Sequence, residues 1–225
     1  MLIANFGRRF QGKTTLAVWT IEQVERRAML DPKQTIRRAG AVVVRRAARL
    51  REAFDALAAG DFAELVYSPI ESHGVAFEAF AGELRRWVLT YPRLELGVLI
   101  DEASFYKKLD DVDGPFMFVV KSSGRSRDDD PITIVLTCHR PTDLPTDLRS
   151  LLNRWAIFRT TLDNDLDAVR KQCGSDVAEL VQQLDEREYV EWDDDEGAYD
   201  VARCSFIWET DLIEPGAESK ILELQ

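Results

Sequence analysis

The chain has 225 residues, near the upper end of one ordinary domain, so a single core is expected over 1–225 rather than two. With 45% hydrophobic and 31% charged residues it carries the apolar material for a packed core, which excludes disorder and fibrous repeats. A formal net charge of −11 excludes a protein that coats nucleic acid or an anionic membrane with its whole surface; any contact with DNA must be local.

In chain order, Leu2 to Phe6 is a short apolar run closed by Gly7, and Thr14 to Arg27 follows with helical spacing of Leu16, Ile21 and Val24, so the chain opens as strand, loop, helix. Pro32 to Ala59 is rich in helix formers and basic, with Arg37, Arg38, Arg45, Arg46, Arg49 and Arg51 around the patch Val42 to Val44. It reads as a basic helical or hairpin insertion at about 31–62. Leu65 to Ile70 predicts a second strand closed by Pro69, and a helix is expected from about Val75 to Thr90, ending at Tyr91-Pro92. Leu96 to Ile100 is a continuous apolar run of the kind a buried parallel strand shows, with Asp101-Glu102 at its carboxyl end. A helix through Phe116 to Ser122, the polar turn SGRSRDDDP, a fourth strand at Ile132 to Thr137 and a fifth at Trp155 to Thr160 complete the alternation. Helices at Asp165 to Gln172 and Asp176 to Leu184 precede an acidic β-hairpin at about 186–210, its strands Glu188 to Trp192 and Val201 to Trp208. The fold class that follows is α/β, with a central, mainly parallel sheet whose site lies at the carboxyl ends of its strands.

The three cysteines, Cys138, Cys173 and Cys204, show neither a disulfide framework nor a zinc spacing, and with only His73 and His139 a structural metal is not expected. No apolar run approaches the roughly 20 residues that span a bilayer. The opening MLIANFGRRF lacks the apolar core of a signal peptide, so no membrane targeting is expected.

The chemistry concentrates in three places. Gly7-Arg8-Arg9-Phe10-Gln11-Gly12-Lys13-Thr14, followed by Thr15, fits G-x-x-x-x-G-K-[ST] between a strand and a helix. Glycines let the backbone wrap a polyphosphate so that its N–H groups and the helix N-terminus face the charge. Lys13 then reaches the β- and γ-phosphates of ATP, and the Thr14 hydroxyl binds Mg²⁺. Asp101 suits the Mg²⁺ shell from another strand, and Glu102, one step on, suits a general base that polarises water. An Asp-Glu pair at a strand end can also cap the next helix. His139, at the end of the fourth strand, reads either as a sensor beside the γ-phosphate or as a histidine satisfied at a strand end, depending on strand order. Arg125 and Arg127 precede that strand in a turn; one could stabilise transition-state charge in a neighbouring subunit, or both could pair with Asp128 to Asp130. Arg8 and Arg9 are alternatives in cis, and Arg154 and Arg159 flank the fifth strand. The basic stretch Arg26 to Arg51 offers phosphate-backbone contact or a solvated helix face.

The order GRRFQGKT, VLIDEA, SSGR and ITIVLTCHRPTDLPTDLRSLLNRWAIFRTT, over Gly7 to about Thr161, resembles the FtsK–HerA superfamily of P-loop DNA-pumping ATPases. The fourth-strand motif there is typically T-Q-R-P; here Thr137-Cys138-His139-Arg140-Pro141 places histidine where glutamine is usual. The resemblance implies a RecA/ASCE-like fold and makes Arg125, beside Gly124, the first choice for the finger in trans. The compact size is similar to that of genome-packaging ATPases of tailless icosahedral double-stranded DNA viruses with internal membranes. It implies a ring, hexameric or pentameric, that threads dsDNA into a preformed capsid, with capsid or membrane-vertex partners, in the host cytoplasm or at the virion's packaging vertex. The other readings are an assembly ATPase of the filamentous-phage type, which usually carries a transmembrane segment, and a nucleotide-dependent switch with slow turnover.

Overall fold

The computed structural model describes residues 1–106, 108–109, 111–123 and 131–204. Among the described residues nine strands form one sheet: β1 (Leu2–Phe6), β2 (Arg27–Leu30), β3 (Val42–Val44), β4 (Glu64–Tyr67), β5 (Leu96–Ile100), β6 (Ile132–Cys138), β7 (Arg154–Phe158), β8 (Glu188–Asp193) and β9 (Ala198–Arg203). Their order across the sheet is β3-β4-β2-β5-β6-β1-β7-β8-β9. All pairings from β3 to β7 are parallel, and β8 and β9 add an antiparallel hairpin to the β7 edge. The helices are α1 (Lys13–Glu22), α2 (Leu50–Ala59), α3 (His73–Thr90), α4 (Pro115–Ser123), α5 (Thr146–Arg149), α6 (Asp163–Cys173) and α7 (Ser175–Gln183).

Because side chains alternate across a strand, each central strand feeds two cores. Ile3, Met29, Val66, Leu99 and Val135 face one side, where Ala17, Val18 and Ile21 of α1 cover them. Their neighbours Ala4, Ala28, Leu65, Ile100 and Leu136 face the other, larger core, which takes Phe54 of α2, Phe80 and Trp87 of α3, Phe116 of α4 and Val169 of α6. Burial on both faces is why β1 and β5 are apolar runs without alternation. A third cluster joins Leu16 of α1 to Phe158, Tyr189 and Cys204 beneath the loop that leaves β1.

Three segments differ from expectation. The first helix ends at Glu22 rather than Arg27, and Arg27–Leu30, of which only Arg27 is expected in that helix, forms β2. Arg, Ala, Met and Leu are all strong helix formers, but Ala28, Met29 and Leu30 are fully buried between β4 and β5, and that burial overrides local propensity. The segment at about 31–62, expected as a helical or hairpin insertion, contributes a short edge strand as well as α2: Val42–Val44 pairs in parallel register with Leu65–Tyr67. The second predicted strand stops at Tyr67 rather than Ile70, since Pro69 has no N–H for a ladder. The hairpin forms as expected from Glu188, while residues 205–208 of its predicted second strand lie outside the described residues. Among the described residues no helix is long and apolar enough to cross a membrane.

Candidate active site

The loop from Gly7 to Gly12 joins β1 to α1 and closes on itself through its own polar groups. Gln11 Oε1 accepts the Arg8 N–H at 2.5 Å, Gln11 Nε2 donates to the Arg159 carbonyl at 3.3 Å, and an Arg8 guanidinium N–H donates to Thr161 Oγ1 at 3.0 Å. Gly12 has φ +101°, a conformation that L side chains rarely adopt, and Gly7 has no room for a side chain, since a Cβ there would lie 2.6 Å from Phe158 Cβ. Phe10 also takes a left-handed conformation, φ 65°, and its ring is 93% exposed. Buried Asn5 donates from Nδ2 to the Lys13 carbonyl at 3.1 Å and ties the first turn of α1 to β1.

Lys13 is buried, and its Nζ donates to the Arg8 carbonyl at 2.9 Å, so the ammonium lies folded onto the loop it would serve. Burial pushes its pKa below the ordinary lysine range; the charges of Glu102 and Asp101 oppose that shift and the nearby Lys33 adds to it. The Thr15 hydroxyl is buried and finds no partner among the described residues.

Strand order settles the neighbourhood of the acidic pair. β6 lies between β5 and β1, so Thr137, Cys138 and His139 stand between Asp101-Glu102 on one side and the phosphate-type loop on the other. Thr14 Oγ1 donates to Asp101 Oδ1 at 2.9 Å, and Thr137 Oγ1 donates to the same oxygen at 2.7 Å. Burial raises the Asp101 pKa, and these two hydrogen bonds pull against the rise. Thr14 and Asp101 thus offer two adjacent hard oxygen donors, the kind Mg²⁺ takes together with water and phosphate oxygens. Glu102 is buried in the left-handed region at φ 51°, a conformation that costs a non-glycine residue on the order of 1 kcal/mol and that clusters at functional sites. Its N–H donates to Thr137 Oγ1 at 2.9 Å, its Oε1 accepts a hydrogen bond from Lys33 Nζ, and its Oε2 lies 3.0 Å from His139 Nε2.

The structure therefore brings together Gly7 to Thr15, Asp101, Glu102 and His139. It separates Arg154, which starts β7 at the amino end of the sheet level with Ile3 and pairs with Asp193. Arg159 meets the loop through its carbonyl. Gly124, Arg125, Arg127 and Asp128 to Asp130 lie outside the described residues. Arg140 binds both carboxylate oxygens of buried Asp165, which also accepts from Thr142, so it ties the turn after β6 to α6.

Three further residues belong to the site. Thr137 joins the acid and the candidate base through one hydroxyl. Asp31, fully buried at the end of β2, accepts from the Ile36 N–H at 2.8 Å, and its Oδ1 has no partner among the described residues. Lys33 follows on the same loop. The signal for the last two was an apolar run closed by an acid, RAML before Asp31, the same pattern as LGVLI before Asp101, but its first residue falls at the end of the predicted helix and the rest draws no strand.

The basic stretch is largely neutralised from within. Arg27 and Arg38 both bind the buried Glu64 carboxylate at 3.1 and 3.0 Å, Arg38 also binds Glu22, Arg49 binds Glu52 and Arg51 binds Glu83. Arg37 and Arg46 remain exposed.

No protein-family model matches the chain, and no curated protein matches it in sequence. Solved structures do match in fold. The chain is similar to the genome packaging NTPase B204 of Sulfolobus turreted icosahedral virus 2 in complex with AMPPCP, with TM-score 0.70 and 15% identity over 90% of this chain and 96% of that one. It is also similar to B204, the DNA-packaging ATPase of Sulfolobus turreted icosahedral virus, with TM-score 0.67 and 17% identity over 90% of this chain and 96% of that one. VirB4 of Thermoanaerobacter pseudethanolicus matches with TM-score 0.64 and 11% identity over 93% of this chain and 90% of that one. The chain thus has an α/β P-loop NTPase fold, with a C-terminal antiparallel hairpin.

Proposed function

We propose that this chain is a viral genome-packaging ATPase, a motor that couples ATP hydrolysis to translocation of double-stranded DNA into a preformed capsid. The observation that carries the reading is the convergence of Lys13, Thr14, Asp101, Glu102 and His139 at the carboxyl ends of three adjacent parallel strands. Phosphate binding, metal ligation and water activation need these groups within one polyphosphate's reach. The packaging role is supported by the likeness in fold, over nearly the whole of both chains, to the two viral packaging proteins.

In this mechanism the loop N–H groups and the N-terminus of α1 face the polyphosphate, and Lys13 exchanges the Arg8 carbonyl for phosphate oxygens. Thr14 and Asp101 would hold Mg²⁺, which would supply positive charge against the phosphate oxygens. Glu102 accepts the proton of the attacking water, and His139 beside it responds to loss of the γ-phosphate. Arg125 of a neighbouring subunit supplies the finger in trans, which makes a ring of subunits, hexameric or pentameric, part of the active enzyme. Double-stranded DNA contacts the ring through its backbone without reading sequence, and capsid or membrane-vertex proteins receive it, in the host cytoplasm or at the virion vertex.

Steady-state ATP hydrolysis with and without double-stranded DNA, over a range of protein concentrations, tests the reading. The expected result is stimulation by DNA that grows with protein concentration. Glu102→Gln should keep ATP binding and lose about 100-fold or more in turnover, as removal of a general base does. Tight ATP binding without turnover in the wild type, with or without DNA, would instead describe a nucleotide-dependent switch.

A further inference from the structure

One oxygen of the Glu102 carboxylate is held by a cation from outside its own strand, and the other, Oε2, is buried close to a histidine without a hydrogen bond among the described residues. Lys33 donates to Oε1, and His139 Nε2 lies 3.0 Å from Oε2. His139 belongs to the strand between the loop and the acid, but Lys33 comes from the connection between β2 and β3.

That lysine is built into place. Its side chain is 27% exposed, and its ammonium lies 5.5 Å from the centre of the Phe105 ring, which is itself stacked on His73 with centroids 4.8 Å apart. The residues on either side are tied down. Asp31 accepts the Ile36 N–H, Gln34 Nε2 donates to the Pro69 carbonyl at 3.2 Å, and Arg45 donates to Gln34 Oε1 at 2.6 Å. A mobile surface lysine would show none of this.

A charged hydrogen bond from an ammonium occupies Oε1 and fixes the direction in which the carboxylate points, so the group is not free to turn toward a water. The pair therefore opposes the task that Glu102 performs in hydrolysis. We infer, resting on the hydrolysis reading above, that Lys33 is a positioning residue: it holds Glu102 in a resting orientation, and the Lys33–Glu102 pair must open before Glu102 can take the proton of the attacking water. Lys33 acts through Glu102 and touches no reacting atom.

The full chain, assayed at saturating ATP without DNA, tests this. Lys33→Met should raise kcat about fivefold, the size expected for loss of one half-buried ion pair, with KM for ATP unchanged. Lys33→Arg, which restores a cation, should bring the rate back toward the wild type, and Lys33→Met combined with Glu102→Gln should be as inactive as Glu102→Gln alone. A folded Lys33→Met enzyme whose kcat is equal to or below the wild-type value overturns the inference, and so does a raised KM, which would place Lys33 on the phosphates. If Lys33→Met melts below the assay temperature, Lys33→Gln is judged by the same criterion. Glu102→Gln separates the two levels. At wild-type turnover it removes the base and the restraint together; inactive beside a Lys33→Met that is no faster, it leaves hydrolysis standing and removes the restraint alone.

Discussion

Two charge-rich regions of this molecule use charge in opposite ways. At the carboxyl ends of β2, β5, β6 and β1, few charges are present and nearly all are buried: Lys13, Asp31, Asp101 and Glu102, of which the two acids after β5 are joined by hydrogen bonds through Thr14 and Thr137. At the β3–β4 edge, arginines are abundant, yet most face acids of the same chain, with Glu64 alone receiving Arg27 and Arg38. The lesson is that charge density along a sequence does not locate chemistry. A buried carboxylate kept beside cations at a strand end carries a desolvation penalty that only a function or a complete set of partners offsets, whereas an ion-paired arginine at an edge holds the fold together.

The comparison is most sharply tested at Glu64, the buried acid of the structural region. Glu64→Ala leaves two half-buried guanidinium groups without their carboxylate and should destabilise the protein by about 3 kcal/mol, read as a lowered urea midpoint and Tm, with nucleotide affinity retained in the folded protein. Thr137→Val should do the reverse. Loss of the hydroxyl that receives the Glu102 N–H and donates to Asp101 should lower kcat for ATP by about 30-fold, equivalent to about 2 kcal/mol, and equal turnover by the two proteins would break the claim that this network aligns the acids. The smallest effect belongs to exposed Arg46, where Arg46→Ala should change stability by less than about 0.5 kcal/mol. A loss of DNA stimulation in that variant would make the basic edge a nucleic-acid contact as well.

Much of the site is legible in the sequence. Gly7, Gly12, Lys13 and Thr14 are readable because a phosphate loop demands those residue types at fixed spacing, and Asp101-Glu102 because an apolar run closed by acids marks the end of a buried strand. The β1, β5 and β6 strands follow from the same continuous burial. What stays hidden does so for identifiable reasons. RAML is a run of helix formers that becomes a strand only when β4 and β5 flank it, and without β2 neither Asp31 nor Lys33 has a place in the site. The three valines of β3 are too short a run to separate from their arginine-rich surroundings.

By itself, then, the sequence determined the local chemistry: a loop able to wrap phosphates, a lysine and a threonine to meet them, two acids at a strand end, and an α/β alternation. These depend on backbone conformation and residue type within a few positions, which short-range physics decides. Tertiary structure alone decided adjacency. It inserted β6 between β5 and β1 so that Thr137 and His139 meet the acids, carried Lys33 across from another connection onto Glu102, and turned a basic stretch inward onto Glu64. Contacts between residues 26 to 87 positions apart follow from sheet order, and sheet order follows from which apolar faces can be buried together, a property of the whole chain that no window of sequence contains.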